Sequence, residues 1–211
     1  MLPDCGIGEK YECNESCLSV SESVICKCHN RCTNRCSFCI RYTPSGVDQI
    51  DLWLEREPTA EELIAALLEK NYRDYDEVVF CGYGEPLMRF DVVMEVCRFI
   101  KEDSGKKIRI NTNGHANRCA GKDVTSEMKG LVDVISISLN ASTAEGYQNI
   151  CKCEFGEEGF YEMLDFAKKA KAYVPRVVMS VVDVIGEEEI EACRRVVEEI
   201  GVEYRVRKYS E

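Results

Sequence analysis

The sequence has no run near the roughly 18 uninterrupted apolar residues that a membrane-spanning helix needs. Its first residues, Met-Leu-Pro-Asp-Cys-Gly, lack the basic and apolar regions of a secretory signal peptide, so a cytoplasmic protein is expected. Positive charge is in deficit: Lys and Arg number 27 against 38 Asp and Glu, a net charge of -11. Such a field repels polyanions and disfavours broad, sequence-blind nucleic-acid binding. Local basic patches persist at Lys106, Lys107 and Arg109 and again at Arg205, Arg207 and Lys208. Histidine is scarce, with His29 and His115 alone, and no internal repeat or low-complexity tract is present. At 211 residues, with 45% hydrophobic and 31% charged, the chain suits one domain and can bury a core without disulfide staples.

Cysteine is what the sequence has in excess, 14 in all. In a reducing compartment, cysteine clusters bind metal or do chemistry more often than they form disulfides.

From about residue 60 the chain alternates short β-branched runs with amphipathic helical segments. Strands are expected at Glu77 to Cys81, Lys107 to Ile110, Val132 to Leu139, Arg176 to Val182 and Val202 to Val206, with an earlier one at Ser23 to Cys28. Thr59 and Glu62 form a capping box before a helix whose Leu63, Ile64, Leu67 and Leu68 share a face. Asp91 is placed as the cap of the next helix, with Val93, Val96, Cys97 and Ile100 inward. A third helix begins near Glu157 with Phe160, Leu164 and Ala167 inward, and a fourth runs from Glu187 to a Gly201 stop. Six strands alternating with helices imply an α/β fold with a parallel sheet, too few for a closed eight-stranded barrel, hence a partial barrel or an open sheet. Residues 1 to about 22 show neither helical nor strand period and read as a cysteine-rich N-terminal extension ahead of a core at 23–211.

Cys32, Cys36 and Cys39 lie in CTNRCSFC, directly after the first strand. Three closely spaced thiolates suit an iron-sulfur cluster, and three rather than four leave one iron open to another ligand. Spacing alone also allows a zinc knuckle completed by Cys28 or His29.

This array, with Phe38 just before its last cysteine, resembles the signature of the radical S-adenosylmethionine (SAM) superfamily. Later motifs agree in order. CGYGEP at Cys81 to Pro86 is similar to the superfamily's glycine-glycine-glutamate motif, with Tyr83 replacing one glycine. NTNG at Asn111 to Gly114 resembles its TNG element, and SISLNA at Ser136 to Ala141 resembles the strand that meets the SAM ribose and methionine carboxylate. The resemblance implies a partial (βα)6 barrel, with a 4Fe-4S cluster on Cys32, Cys36 and Cys39. It implies SAM contacts from Phe38, Gly82, Tyr83, Gly84, Glu85, Pro86, Thr112, Asn113, Ser136, Ser138 and Asn140. Physically, Gly82 and Gly84 can take positive φ and let the backbone approach a ligand, while the Glu85-Pro86 turn offers carbonyls to the SAM ammonium group. On spacing alone, GYGEP is equally a plain strand-to-helix turn, and Ser136 and Ser138 are equally barrel filler.

More narrowly, the runs IRYTPSGVDQIDLWLEREPT, YDEVVFCGYGEPLMRFDVV and KIRINTNGHANR resemble a small branch of radical SAM proteins associated with TatD-type nucleases. The implied chemistry is reductive cleavage of SAM to a 5'-deoxyadenosyl radical that abstracts hydrogen from a substrate the sequence does not name. An electron donor such as a flavodoxin or ferredoxin is implied too. The alternative from another class is a non-catalytic zinc or iron-sulfur module partnering a TatD-type nuclease.

Cys5, Cys13 and Cys17, with Cys26 or Cys28, are candidates for an auxiliary cluster or zinc, as is the pair Cys151 and Cys153; free thiols are the other reading. Cys97 and Cys193 sit on apolar helix faces and read as core. His29 and His115 are candidates for proton transfer or are simply surface-loop histidines.

Overall fold

A computed structural model describes residues 16–42 and 52–209. The β-branched runs pair into one sheet whose spatial order follows the chain: β1 (Cys17–Val20), β2 (Ser23–Cys26), β3 (Glu77–Phe80), β4 (Lys107–Thr112), β5 (Val134–Ser138), β6 (Arg176–Val182) and β7 (Glu203–Arg207). β2 to β7 are parallel and β1 is antiparallel to β2. The connecting helices are α1 (Ala60–Glu69), α2 (Phe90–Asp103), α3 (Ala116–Ala120), α4 (Ala144–Cys151), α5 (Glu158–Ala170) and α6 (Glu187–Ile200). Six parallel strands with helical crossovers, and a sheet whose ends β1 and β7 are not neighbours, make a partial (βα)6 barrel.

Side-chain alternation sets the two faces of the sheet. In β4, Ile108, Ile110 and Thr112 are buried while Arg109 and Asn111 are half-buried. Ile135, Ile137, Met179 and Val181 share the outer, helix-covered core with Ile108 and Ile110. The parallel register then places Arg109, Asn111, Ser136, Ser138 and Ser180 on the opposite, inner face. The helices supply the matching stripes: Leu63 and Leu67 from α1, and Val93, Val96, Cys97 and Ile100 from α2, are fully buried.

The capping box at Thr59 and Glu62 is present in both directions. Gly201 closes α6 in the left-handed conformation, φ 73. Two expectations are corrected. α2 starts at Phe90 with no side-chain cap, because the 3-10 turn Pro86–Arg89 runs straight into it and can supply carbonyls to its first N–H groups. Asp91 instead occupies the first turn, where its charge favours the helix dipole. The segment before residue 22, read as lacking strand period, ends in β1: Cys17 lies opposite Cys26 and is buried beneath α1, its thiol 3.9 Å from the Leu63 carbonyl. Four residues are too few to display a period. Leu68 is exposed and Leu164 half-buried, while Met163 and Phe166 complete the inner face of α5.

Candidate functional site

The loop after β2 carries Cys32, Cys36 and Cys39, all partly exposed, whereas Cys17, Cys26, Cys28, Cys97, Cys151, Cys153 and Cys193 are buried. Backbone bonds dock this loop on the end of α4. Arg35 N–H donates to the Cys151 carbonyl at 2.8 Å, Ser37 N–H to that of Ile150 at 3.1 Å, and Glu154 N–H to that of Thr33 at 2.9 Å. The sulfur of Cys32 receives the Asn34 backbone N–H at 3.4 Å and the Asn113 amide at 3.7 Å. Cys36 is held below the ordinary thiol range, chiefly by a hydrogen bond with the Cys151 thiol and with help from the nearby Arg41 guanidinium. Burial pushes Cys32 up to about 12 and also raises Cys39. Among the described residues no three His, Cys, Asp or Glu side chains converge as a single metal ion requires. A polynuclear cluster spreads its thiolates over separate irons, so three staggered cysteines suit it better than a mononuclear ion.

Glu85 ties the loops after β3 and β4 together. Its buried carboxylate accepts the Thr112 hydroxyl at 2.6 Å, the Asn113 N–H at 2.6 Å and the Leu87 N–H at 3.0 Å. Burial nevertheless pushes its carboxyl up to about 7, against the pull of those three donors. Asn113 extends the tie to the cysteine loop, its amide donating to Thr33 Oγ1 at 2.7 Å. Gly84 is required by close approach. At φ 97, a Cβ there would lie 2.5 Å from the His29 carbonyl oxygen and 2.9 Å from that of Arg31. The Glu85 carbonyl already accepts from His29 Nε2 at 2.6 Å, and the Pro86 carbonyl from the Cys28 thiol at 3.6 Å. The Met88 N–H also donates to the Glu85 carbonyl at 3.1 Å, so both lone pairs of that oxygen are engaged within the protein.

Neither histidine is a surface residue: His29 and His115 are each 1% exposed. His115 Nε2 donates to the Gly159 carbonyl at 2.9 Å, which leaves Nδ1 to accept the Thr33 hydroxyl at 2.9 Å. Burial lowers its pKa to about 4. That ring is a neutral strut between the cysteine loop and the start of α5. Burial likewise lowers His29.

The sequence-expected SAM contacts divide by position. Thr112 and Asn113 are buried in the Glu85 network. Tyr83, where a glycine was expected, is buried with Leu18 and Leu52 and packs edge-on against Trp53, ring centroids 5.3 Å apart. Ser136 and Ser138 are half-buried on the inner face of β5. Asn140, just beyond that strand, adopts φ 60, donates to the Cys151 sulfur at 3.9 Å and leaves its buried Oδ1 without a partner. Phe38 lines a cleft of about 320 Å3 with Ser37, Ile150, Ile185 and Tyr209. Three part-exposed thiols beside a cation, an orphaned buried acceptor and an aromatic-lined cleft fit a thiolate-held cluster with a polar, aromatic cofactor next to it. Gly82 takes positive φ against the Lys27 side chain, and Pro86 opens the 3-10 turn.

Thr33, Asn34, Arg41 and Tyr147 were not singled out from the sequence. Asn34 donates to the Tyr147 hydroxyl at 2.8 Å and Arg41 to the Asn34 carbonyl at 3.2 Å. Thr33 and Asn34 stand inside the cysteine array, which was the available signal; Tyr147 lies on α4, a helix not expected from the sequence. Among the auxiliary candidates, Cys5 and Cys13 lie outside the described residues. The Cys17 and Cys26 sulfurs are 3.5 Å apart, and Cys28, whose thiol burial pushes up to about 12, is buried near the Pro86 carbonyl.

The Radical SAM superfamily profile matches residues 27–200. The chain belongs to that superfamily. It is 27% identical over 187 residues to "Putative glycyl-radical enzyme activating enzyme" of Methanocaldococcus jannaschii, covering 85% of this chain and 70% of that protein. It is 31% identical over 133 residues to "Probable dual-specificity RNA methyltransferase RlmN" of Treponema pallidum, covering 59% of this chain and 36% of that protein. Among solved structures, a radical SAM methyltransferase from Sphaerobacter thermophilus superposes with TM-score 0.61 at 18% identity, covering 88% of this chain and 66% of that one. Streptococcus suis SuiB bound to S-adenosylmethionine gives TM-score 0.61 at 16% identity, covering 90% and 39%. The partial barrel is thus the radical SAM fold. Members use a 4Fe-4S cluster and SAM, and membership supports, in general terms, an enzyme that cleaves SAM to a radical.

Proposed function

We propose that this chain cleaves SAM reductively at a 4Fe-4S cluster held by Cys32, Cys36 and Cys39, generating a 5'-deoxyadenosyl radical for hydrogen abstraction. The observation that carries the reading is the Glu85–Thr112–Asn113–Thr33 chain of hydrogen bonds, which joins both strand-end motifs to the cysteine loop. When bound, the cluster supplies the electron that breaks the sulfonium bond. The chain's own residues supply position and shelter. Asn34 and Asn113 point N–H groups at Cys32 sulfur, and Arg41 favours thiolate at Cys36. Asn140 Oδ1 is an acceptor for the SAM ammonium group or ribose, with Ser136 and Ser138 beneath it and Phe38 offering its ring to adenine. Gly82, Tyr83, Gly84, Glu85 and Pro86 shape the wall opposite, held by Thr112 and Asn113.

The core unit is taken as 23–211, with residues 1–22 a cysteine-rich extension whose last strand, β1, covers one edge of the sheet. The relatives' descriptions differ between activation of a glycyl-radical enzyme and RNA methylation, so the shared chemistry transfers and the substrate does not. The TatD-associated branch is a finer proposal, part of whose first run, residues 43–51, lies outside the described residues. Anaerobic reconstitution with iron and sulfide, then reduction by dithionite or a flavodoxin or ferredoxin, tests the reading through 5'-deoxyadenosine. Metal binding without that product would favour the non-catalytic module.

A further inference from the structure

We propose that the inner face of the barrel takes a small-molecule substrate by an anionic group, phosphate or carboxylate, held by Arg205 and Arg207. The proposal rests on the radical SAM reading and names the substrate class of the same site. The chain carries a net charge of -11, yet a cavity of about 160 Å3 on this face is lined by Lys107, Arg109, Arg176 and Arg205 against one acid, Glu77. The sign of the protein's field is inverted there.

The pairing in and around the cavity is uneven. Glu77 takes Arg109 at 2.7 Å and Lys107 at 3.7 Å, and Glu203 takes Arg176 at 2.7 Å. Arg205 and Arg207 make no ion pair or hydrogen bond among the described residues. They stand two apart on one strand, so both point to the same face, where two like charges repel each other without a shared counter-ion. The register fixes their depth. Arg205 lies beside Ser180 and, through it, Ser138; Arg207 lies beside Val182, one step nearer the cysteine loop, and its charge acts on the thiols of Cys81 and Cys36. An anion between the two guanidinium groups would be gripped by forked, charge-assisted donors, with the rest of a small molecule directed toward the cysteine loop. Arg207 is not among the residues lining the cavity, which is built largely from the strand starts Glu77, Lys107, Val134 and Arg176, so the anion sits at the rim that Arg205 forms and not within it.

The test is titration of inorganic phosphate, and separately of acetate, into reconstituted full-length protein at low ionic strength, followed by calorimetry. Saturable binding that weakens on the order of tenfold in Arg205→Gln or Arg207→Gln, recovers in part in Arg205→Lys, and is unaffected by Arg195→Gln on exposed α6 supports the site. The better-bound anion names the head group. Two arginine variants guard against one failing to fold. Equal binding by wild type and both variants, no saturable binding, or tight binding of a short RNA with no response to either anion overturns the proposal. 5'-Deoxyadenosine measured without substrate on the same samples separates the two claims. Its formation with no anion site sinks this inference alone; an anion site without it sinks the radical SAM reading and the assignment of the anion as substrate, and leaves the anion site itself standing.

Discussion

The Thr112 hydroxyl donates to Glu85 Oε1 at 2.6 Å and, with the Asn113 N–H on Oε2, closes the loops after β3 and β4 on each other through one carboxylate. Glu85→Gln keeps that acceptor but turns an amide N–H toward the Asn113 N–H, now 2.6 Å from Oε2. The variant should lose roughly 1–3 kcal/mol by denaturant titration. Its pH response should change as well. The folded carboxyl at about 7 lies above its ordinary 4.5, so its stabilising share is complete below pH 4.5 and is lost as pH rises through 7. Glu85→Gln should lack that decline.

His115 has the opposite sign. Its folded pKa of about 4 is below the ordinary 6.5, so its contribution is complete above pH 6.5 and lost as pH falls through 4. His115→Gln should remove this acid-side loss while lowering stability at pH 7.5, since Thr33 and Gly159 lose a shared partner. Equal pH slopes for wild type and variant between pH 4 and 6.5 would contradict the buried neutral strut.

Gly84→Ala should cost roughly 3 kcal/mol or more, since positive φ and the 2.5 Å approach to the His29 carbonyl act together. Gly105→Ala, at φ 65 with nothing within 4 Å of its Cβ, should cost about 1 kcal/mol. Thermal melts of the pair isolate the close approach from backbone strain.

Cys36→Ala should abolish the visible absorbance of the reconstituted cluster and most bound iron, because two thiolates hold it poorly. Cys97→Ala, in the α2 core, should retain both. Iron analysis of the two proteins that gave the same result would mean that the ligands are misassigned.

The strands of the parallel sheet were legible because β-branched runs punctuated by capped helices leave few other arrangements, as the Thr59–Glu62 box and the Gly201 stop illustrate. β1 was not, since four residues give no measurable period and its burial depends on α1. The cysteine array was readable from spacing, yet Thr33, Asn34 and Tyr147 became visible only when α4 and the loop after β4 met the cysteines in space. Both histidines were misjudged as surface residues for the same reason: a loop assignment carries no information about what packs over it. Arg205 and Arg207 were noted as a basic patch, but that neither has a counter-ion among the described residues is a property of the register.

The most direct test of the central claim is 5'-deoxyadenosine formed from SAM by anaerobically reconstituted, dithionite-reduced protein, quantified by chromatography. The account predicts the product from wild type and none from the Cys32→Ala, Cys36→Ala, Cys39→Ala triple variant. Wild-type protein carrying a full complement of iron and sulfide that leaves SAM intact under these conditions would contradict it.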